Sequence, residues 1–477
     1  MEKRQAFNPY LPSWEYVPDG EPHVFGDRVY VYGSHDRFGG PLFCMNDYVC
    51  WSAPVDDLSE WKNEGVIYQK KQDPALPIRC LYAPDVCRGP DGRYYLYYAY
   101  DFLGIMGVAA ADRPEGPYEF YGHVKFPDGH KWGRKNGEPF PFDPGIFVDD
   151  DGRVFLYSGF YKKVPSVAMH LKQLTFDGGV VLELEQDMVT IKSPPKLIFP
   201  KEGEGAFPDH EFFEASSMRK IGNTYYFIYS SKNNHELCYA TSAFPDGGFV
   251  FGGTLIDIGD CYLDGRTEET ALNYMGNTHG SIANLNGKWY VFYHRQTNQH
   301  SFSRQACAEP LRFENGKFYQ AEISSSGLNG GPLRGTGRYE ARIACNLWAK
   351  GRKVGRYDVG NPRKDLAAHP YFTQTGKDRE QGGDQYIANM RDGATAGYKY
   401  FDFNNLTGIS VELKGAAGTM EVSCDPDFGQ VIARIPVQNS PDYTEYRIKA
   451  GAANGVHPLY FRYCGDGAVD FRAFTLY

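Results

Sequence analysis

The 477-residue chain contains no run of eighteen apolar residues, so no segment reads as a membrane-spanning helix. It has no Cys-x-x-Cys pair either. The ten cysteines, at 44, 50, 80, 87, 238, 261, 307, 345, 424 and 464, are scattered and fall mostly in strand-like runs, which argues against a structural zinc site. Positive charge is in short supply: 50 Lys and Arg face 59 Asp and Glu, a net charge of −9. A phosphate-backbone partner needs a basic face, so nucleic acid is not expected and a neutral or polar substrate is. The stretch Met1-Glu2-Lys3-Arg4-Gln5-Ala6-Phe7 lacks the apolar core of a secretory signal. With scattered thiols, that leads to the expectation of a cytoplasmic protein, or a secreted one had a leader been trimmed.

What is abundant is glycine, with 54 residues, and aromatic side chains, at 16% of the chain. Many strands and turns fit that composition; long helices do not. The stretch Asp143-Pro144-Gly145-Ile146-Phe147-Val148-Asp149-Asp150-Asp151-Gly152-Arg153-Val154-Phe155-Leu156-Tyr157 shows the pattern most plainly. It is a strand, a tight acidic turn ending in Gly, and a second strand rich in β-branched and aromatic residues. The same shape recurs around Gly26-Asp27, Asp91-Gly92, Gly222-Asn223 and Asn286-Gly287. After each turn comes a bulky pair: Val29-Tyr30, Tyr94-Tyr95, Val154-Phe155, Tyr225-Tyr226 and Trp289-Tyr290. Successive pairs lie roughly 60 to 70 residues apart, as in radially repeated architectures.

The expected fold is all-β: a five-bladed β-propeller of about four strands per blade over residues 1–325, a linker over 326–335, and an antiparallel β-sandwich of jelly-roll type over 336–477. Residues 190–212 read as an insertion on the propeller rim. The linker reading comes from Ser324-Ser325-Ser326-Gly327-Leu328-Asn329-Gly330-Gly331-Pro332. Beyond it, strands are expected over 339–343, 397–403, 408–413, 419–424, 445–449, 457–462 and 470–477.

The register of the hairpins supplies the functional reading. In a propeller the first strand of each hairpin lines the central channel, and side chains at its start converge there. Counting back ten or eleven residues from each bulky pair gives Asp19, Asp143, Glu214 and His279; in the second blade the equivalent is Ala83 or Pro84, with Asp85 close behind. A lone acid near a turn means little. Three carboxylates and an imidazole in one register are a different matter. Two carboxyl groups across a pocket do glycosidic chemistry, one protonating the leaving oxygen and one activating water. A third carboxylate near the acid keeps its proton on, because like charges disfavour ionising both. No metal or nucleotide is required.

These residues resemble glycoside hydrolase family 43 over roughly residues 8–325. The likeness rests on Tyr82-Ala83-Pro84-Asp85, on Asp143-Pro144-Gly145-Ile146-Phe147, on Glu214, and on His279-Gly280-Ser281-Ile282 leading to Tyr293-His294-Arg295; Asp57-Leu58-x-x-Trp61 and Pro114-Glu115-Gly116-Pro117 fit too. The resemblance implies Asp19 as general base, Asp143 as pKa modulator and Glu214 as general acid of an inverting enzyme. In the family the base is usually followed by Pro. Here Asp19 precedes Gly20 and the acid-Pro pair is Glu21-Pro22, so the dipeptide favours Glu21 as base and the hairpin distance favours Asp19. Glu21, Asp85, His279 and Arg295 are taken as substrate-binding candidates, Arg295 as a bidentate donor to the sugar or to the modulating carboxylate. His279 matches the family's axial histidine, which is a second-shell candidate for a central cation; calcium is admitted but not required. The C-terminal segment resembles family 6 carbohydrate-binding modules in 392–401 and 455–463.

The resemblance implies an exo-glycosidase releasing terminal α-L-arabinofuranosyl residues from pentose oligosaccharides, with β-xylosidase or galactosidase activity as alternatives. A non-catalytic glycan-binding propeller is the rival of another class, and loss of one carboxylate would mark it. A retaining fructosyl-type hydrolase is the other rival, separated by the anomer it releases. Oligomeric state is not readable.

Overall fold

In a computed structural model, residues 4–75, 79–357 and 367–477 are described; the first three residues of the N-terminal stretch therefore lie outside them. Five four-stranded antiparallel sheets follow one another. The first holds β1 (Glu21–Phe25), β2 (Arg28–Tyr32), β3 (Tyr48–Pro54) and β4 (Lys62–Tyr68). The second holds β5 (Asp85–Arg88), β6 (Tyr94–Ala99), β7 (Met106–Ala111) and β8 (Glu119–His123). The third holds β9 (Gly145–Val148), β10 (Val154–Gly159), β11 (Gly178–Leu184) and β12 (Ile191–Pro200). The fourth holds β13 (Phe212–Ile221), β14 (Thr224–Ser231), β15 (Glu236–Ser242) and β16 (Val250–Asp257). The fifth holds β17 (Ile282–Leu285), β18 (Lys288–Thr297), β19 (His300–Glu314) and β20 (Lys317–Tyr319).

Turn chemistry explains the hairpins. At Asn286-Gly287 both residues have positive φ, 52° and 83°, the conformation a two-residue type I′ turn demands and Asn-Gly tolerates. The bulky pair after each turn falls within the first three residues of the second strand, which is buried almost throughout. Five apolar clusters each join two neighbouring sheets. Tyr97 of the second sheet packs with Val154 and Leu156 of the third, and Phe155 of the third with Phe227 of the fourth. Val29 and Val31 of the first sheet pack with Phe292 and Leu285 of the fifth. This is the five-bladed propeller the hairpin repeat predicts. The expected rim insertion is half wrong: residues 191–200 form β12, the outer strand of the third sheet, and only 201–211 connect it to β13.

The second unit is a β-sandwich of two six-stranded sheets around one core. One sheet runs Leu333–Arg334, Thr395–Phe403, Gly455–Cys464, Gly418–Ser423 and Val431–Val437, with Asn346–Trp348 paired to Thr395–Phe403. The other runs Tyr371–Gln374, Gln385–Arg391, Ala468–Leu476, Gly408–Gly415 and Ser440–Lys449, with Gly337–Glu340 paired to Ala468–Leu476.

The segment read as a linker is packed. Leu328 sits in a 3₁₀ turn over Gly327–Asn329 at 4% exposure and Leu333 is fully buried. The sandwich is also bound to the propeller by ionic contacts. Buried Lys399 reaches Asp260 at 3.1 Å and Glu322 at 2.7 Å, and Arg379 reaches Glu15 at 3.2 Å. No helix among the described residues is long and apolar enough to cross a membrane.

Candidate active site

A cavity of about 270 Å³ opens where the inner strands begin, near the lower end of the roughly 300 to 1,000 Å³ usual for small-molecule sites. Asp19, Asp143, Glu214, His279 and Ala83 all line it, so every blade contributes at the position its hairpin register names. Asp19 stands two residues before β1 and Asp143 two before β9; His279 stands three before β17, and Glu214 lies within β13. There the pairing of β13 with β14 slips on both sides of Glu214, a bulge that turns its side chain inward. Asp19, Asp143 and Ala215, the neighbour of Glu214, all have positive φ (58°, 44° and 71°), so backbone strain gathers around the three acids. Gly145 lets the strands meet: a Cβ there would stand 2.4 Å from the Ser216 carbonyl oxygen.

The three carboxyls sit in unlike environments. Burial pushes Asp19 most strongly towards protonation, but the Arg304 guanidinium, 2.8 Å from its Oδ1, and the adjoining His294 and His279 together hold it far below the usual carboxylate range. Arg304 is fixed in turn by buried Asp36, whose two oxygens accept from Nε at 2.9 Å and Nη2 at 3.0 Å. Glu214 has no such partner. Burial and the Asp19 charge push it up to about 8, against weaker pulls from Arg304 and Lys162. Asp143 is raised by burial and by the charges of Glu214 and Asp19, while the Ala215 N–H favours its ionised form. Glu214 and Asp143 do not both ionise near neutrality; the first to lose its proton keeps the other's in place.

Two histidines back the acids, and of the two His279 lines the cavity. His294 places Nδ1 3.2 Å from both the Asp19 backbone N and Asp19 Oδ1, and donates from Nε2 to the Asn277 carbonyl (2.8 Å). Burial lowers it, and lowers His279 to about 4, so neither competes for the positive role of Arg304. His279 Nδ1 lies 3.5 Å from Asp143 Oδ2. Phenylalanines make the wall, Phe102 stacked on Phe142 at 5.0 Å and Phe160 edge-on to Phe213 at 5.5 Å.

Three sequence-derived candidates fall elsewhere. Arg295 points away from the cavity: it donates to the Ala344 and Arg342 carbonyls and to Gln305, and lies 3.8 Å above the Phe372 ring. Strand alternation is the reason. His294 faces Asp19, so the next residue of β18 must face the sandwich. Arg304 is opposite Gln296 on β19, hence on the His294 face, and takes the place expected of Arg295. Neither Arg304 nor His294 was singled out from the sequence; period-two alternation through Tyr293-His294-Arg295 was the available signal. Glu21 and Asp85 are buried below the cavity and do not line it. Glu21 pairs with Arg219 at 2.9 Å and is pushed up to about 8 by burial and by Asp85. Asp85 accepts from His23 and from the Ile146 N–H, each at 2.7 Å.

Glu21, His23 and Asp85 are close enough to share a cation, and Glu21 Oε1 is buried without a hydrogen-bond partner among the described residues. Calcium takes six to eight oxygens. The cluster leaves one carboxylate oxygen open, the others being held by Arg219, His23 and Ile146, so these side chains do not make a calcium cage.

Comparison with known proteins bears on the chemistry. Residues 16–318 match the model of the glycosyl hydrolases family 43. A xylosidase/arabinosidase of Thermoclostridium stercorarium is 47% identical over 99% of both chains. The solved structure of a family 43 β-xylosidase/α-arabinofuranosidase from a compost microbial metagenome, in complex with xylotriose and in a calcium-free form, is 27% identical, with a TM-score of 0.53 over 67% of this chain and 98% of that one. A family 43 arabinoxylan arabinofuranohydrolase from Bacillus subtilis shares the fold over 98% of this chain and 97% of its own, at 21% identity and a TM-score of 0.51.

Proposed function

The chain belongs to glycosyl hydrolase family 43, and from that premise we propose that it is an inverting exo-glycosidase that removes terminal pentosyl residues from pentose oligosaccharides, α-L-arabinofuranosyl first and β-D-xylosyl on the same site. One observation carries the reading: a carboxyl that stays protonated near neutrality and one that stays ionised line the same small cavity. Glu214 donates its proton to the glycosidic oxygen as the bond to the anomeric carbon breaks. Asp19 takes a proton from a water that attacks that carbon from the opposite face. The Asp19 charge helps keep the Glu214 proton in place, Asp143 beside them takes the modulating role the family gives it, and Arg304 helps keep Asp19 ionised. The β-xylosyl reading draws support from relatives that are named for both activities. No cofactor enters these steps. The ten cysteines form no disulfide, which supports a cytoplasmic site of action on short imported oligosaccharides.

Proton NMR of the first sugar released tests this. From nitrophenyl α-L-arabinofuranoside the β-anomer should appear first, and from nitrophenyl β-D-xyloside the α-anomer. Retained configuration would overturn the assignment of Asp19 as a base acting through water.

A further inference from the structure

The cavity wall is not built by the propeller alone. Arg356 and Tyr357 line it, and both belong to the chain beyond the first strand of the sandwich. Their segment runs beside the strand-like stretch before His279. Met275 donates its N–H to the Gly355 carbonyl at 2.9 Å, and Tyr357 donates to the Met275 carbonyl at 2.9 Å; Gly276 and Asn277, the next residues, line the same cavity. Tyr357 is 7% exposed and packs on the Tyr274 ring at 4.7 Å.

Arg356 is held with more care than a surface arginine needs. Its Nη2 and Nε grip Glu268 as a fork, at 2.5 and 3.2 Å, and its Nη1 donates to the Asn233 carbonyl at 3.0 Å. Glu268 is fixed from behind: Oε1 accepts from His235 Nε2 at 3.1 Å, and His235 Nδ1 meets Asp257 at 2.5 Å. Asp257 in turn accepts the Gly259 and Cys261 N–H groups. Burial works against charge on His235, but a carboxylate against each ring nitrogen, Asp257 first and Glu268 second, raises it above its ordinary value. A guanidinium carries five N–H groups, and three are spent on these partners, which leaves donors on a side chain lining the cavity.

Depth says what those donors meet. Asp19 and Asp143 are 4% and 3% exposed at the floor, whereas the Arg356 side chain is 40% exposed at the rim. In exo-attack the terminal sugar occupies the floor and the leaving sugar the rim. We propose that Arg356, supplied by the sandwich and positioned by Glu268 and His235, binds hydroxyls of the leaving-group sugar. The sandwich is then a wall of the substrate site, and Arg356 sets a preference for oligosaccharides over aryl pentosides. This rests on the glycosidase reading of the cavity.

The test compares full-length wild type, Arg356→Ala, Glu268→Gln and the double variant on two substrates with the same terminal pentosyl group: xylobiose against nitrophenyl β-xyloside, or arabinofuranosyl-xylose against nitrophenyl arabinofuranoside. Arg356→Ala is expected to lower kcat/KM about tenfold on the disaccharide, mainly through KM, as befits a lost charge-assisted hydrogen bond. The loss should be at least about fivefold larger than on the aryl pentoside. Glu268→Gln should shift the same ratio in the same direction, and the double variant should do little more than Arg356→Ala, because one acts through the other. Equal losses on both substrates, or no loss on the disaccharide, would overturn the proposal. Failure of the glycosidase reading looks different: wild type would then cleave neither substrate.

Discussion

Replacing Glu214 by Gln is expected to lower kcat/KM on pentose oligosaccharides by roughly 10²- to 10⁴-fold, the worth of a positioned proton donor. An alkoxide leaves a sugar only if it is protonated as the bond breaks, and an amide has no proton to give. The substitution keeps size and shape, so the bulge in β13 that turns the side chain inward should survive. A nitrophenolate leaves without help. Activity on nitrophenyl pentosides should therefore fall much less, and equal loss on both substrate types would show that Glu214 is not the acid. The split between leaving groups is the diagnostic reading, because simple misfolding would abolish both.

Asp19→Asn should remove activity on both substrate types, again by roughly 10²- to 10⁴-fold, because activating water is needed whatever leaves. Arg304 keeps its bidentate partner Asp36 in this variant, so no guanidinium is stranded in the interior. Glu21→Gln, two residues away, should cost less than about tenfold: Glu21 does not line the cavity, and its carboxyl is pushed up towards the neutral form already. Steady-state kinetics on the two variants ranks them. The reverse ranking would move the base to Glu21, the residue that the acid-Pro dipeptide favoured.

The floor of the site was legible in the sequence because hairpins measure distance along the chain. A turn such as Asn286-Gly287 fixes where a strand reverses, the pleat fixes which residues share a face, and a count of ten or eleven positions then reaches the same height in each blade. Asp19, Asp143, Glu214 and His279 meet for that reason. The groups that set their charge were not legible. Arg304 reaches Asp19 across 285 positions of sequence, and its place depends on how far β18 and β19 extend beyond the rest of their sheet. Arg295 was the nearer basic residue in the motif, but it stands on the wrong face of β18.

The same limit applies to the sandwich. Gly- and Ser-rich composition marks residues 324–332 as a spacer, yet the Ser324 hydroxyl donates to Glu309 at 2.6 Å and Leu328 is buried against the first and fifth sheets. Composition reports what a segment does when nothing packs on it. Strands Leu333–Arg334, Asn346–Trp348, Tyr371–Gln374, Gln385–Arg391 and Val431–Val437 were missed; Tyr371–Gln374 and Gln385–Arg391 flank a turn rich in Gly and Asp, which obscures the alternation. The contribution of Arg356 to the cavity could not be read at all, since it depends on how two units dock.

The pH dependence of kcat/KM, measured for wild type and for the residual activity of Glu214→Gln on xylobiose, whose leaving sugar needs the acid, bears most directly on the two unlike carboxyls. Glu214 must hold its proton to work, so wild-type activity should be full below pH 8 and fall as pH rises through about 8. Asp19 is held ionised far below the usual range, so the acid limb should lie below pH 4 for as long as the fold persists. Glu214→Gln should lack the alkaline limb. An unchanged alkaline limb in that variant, or a wild-type limb at the pH of an ordinary carboxyl, would contradict the pairing of a protonated Glu214 with an ionised Asp19.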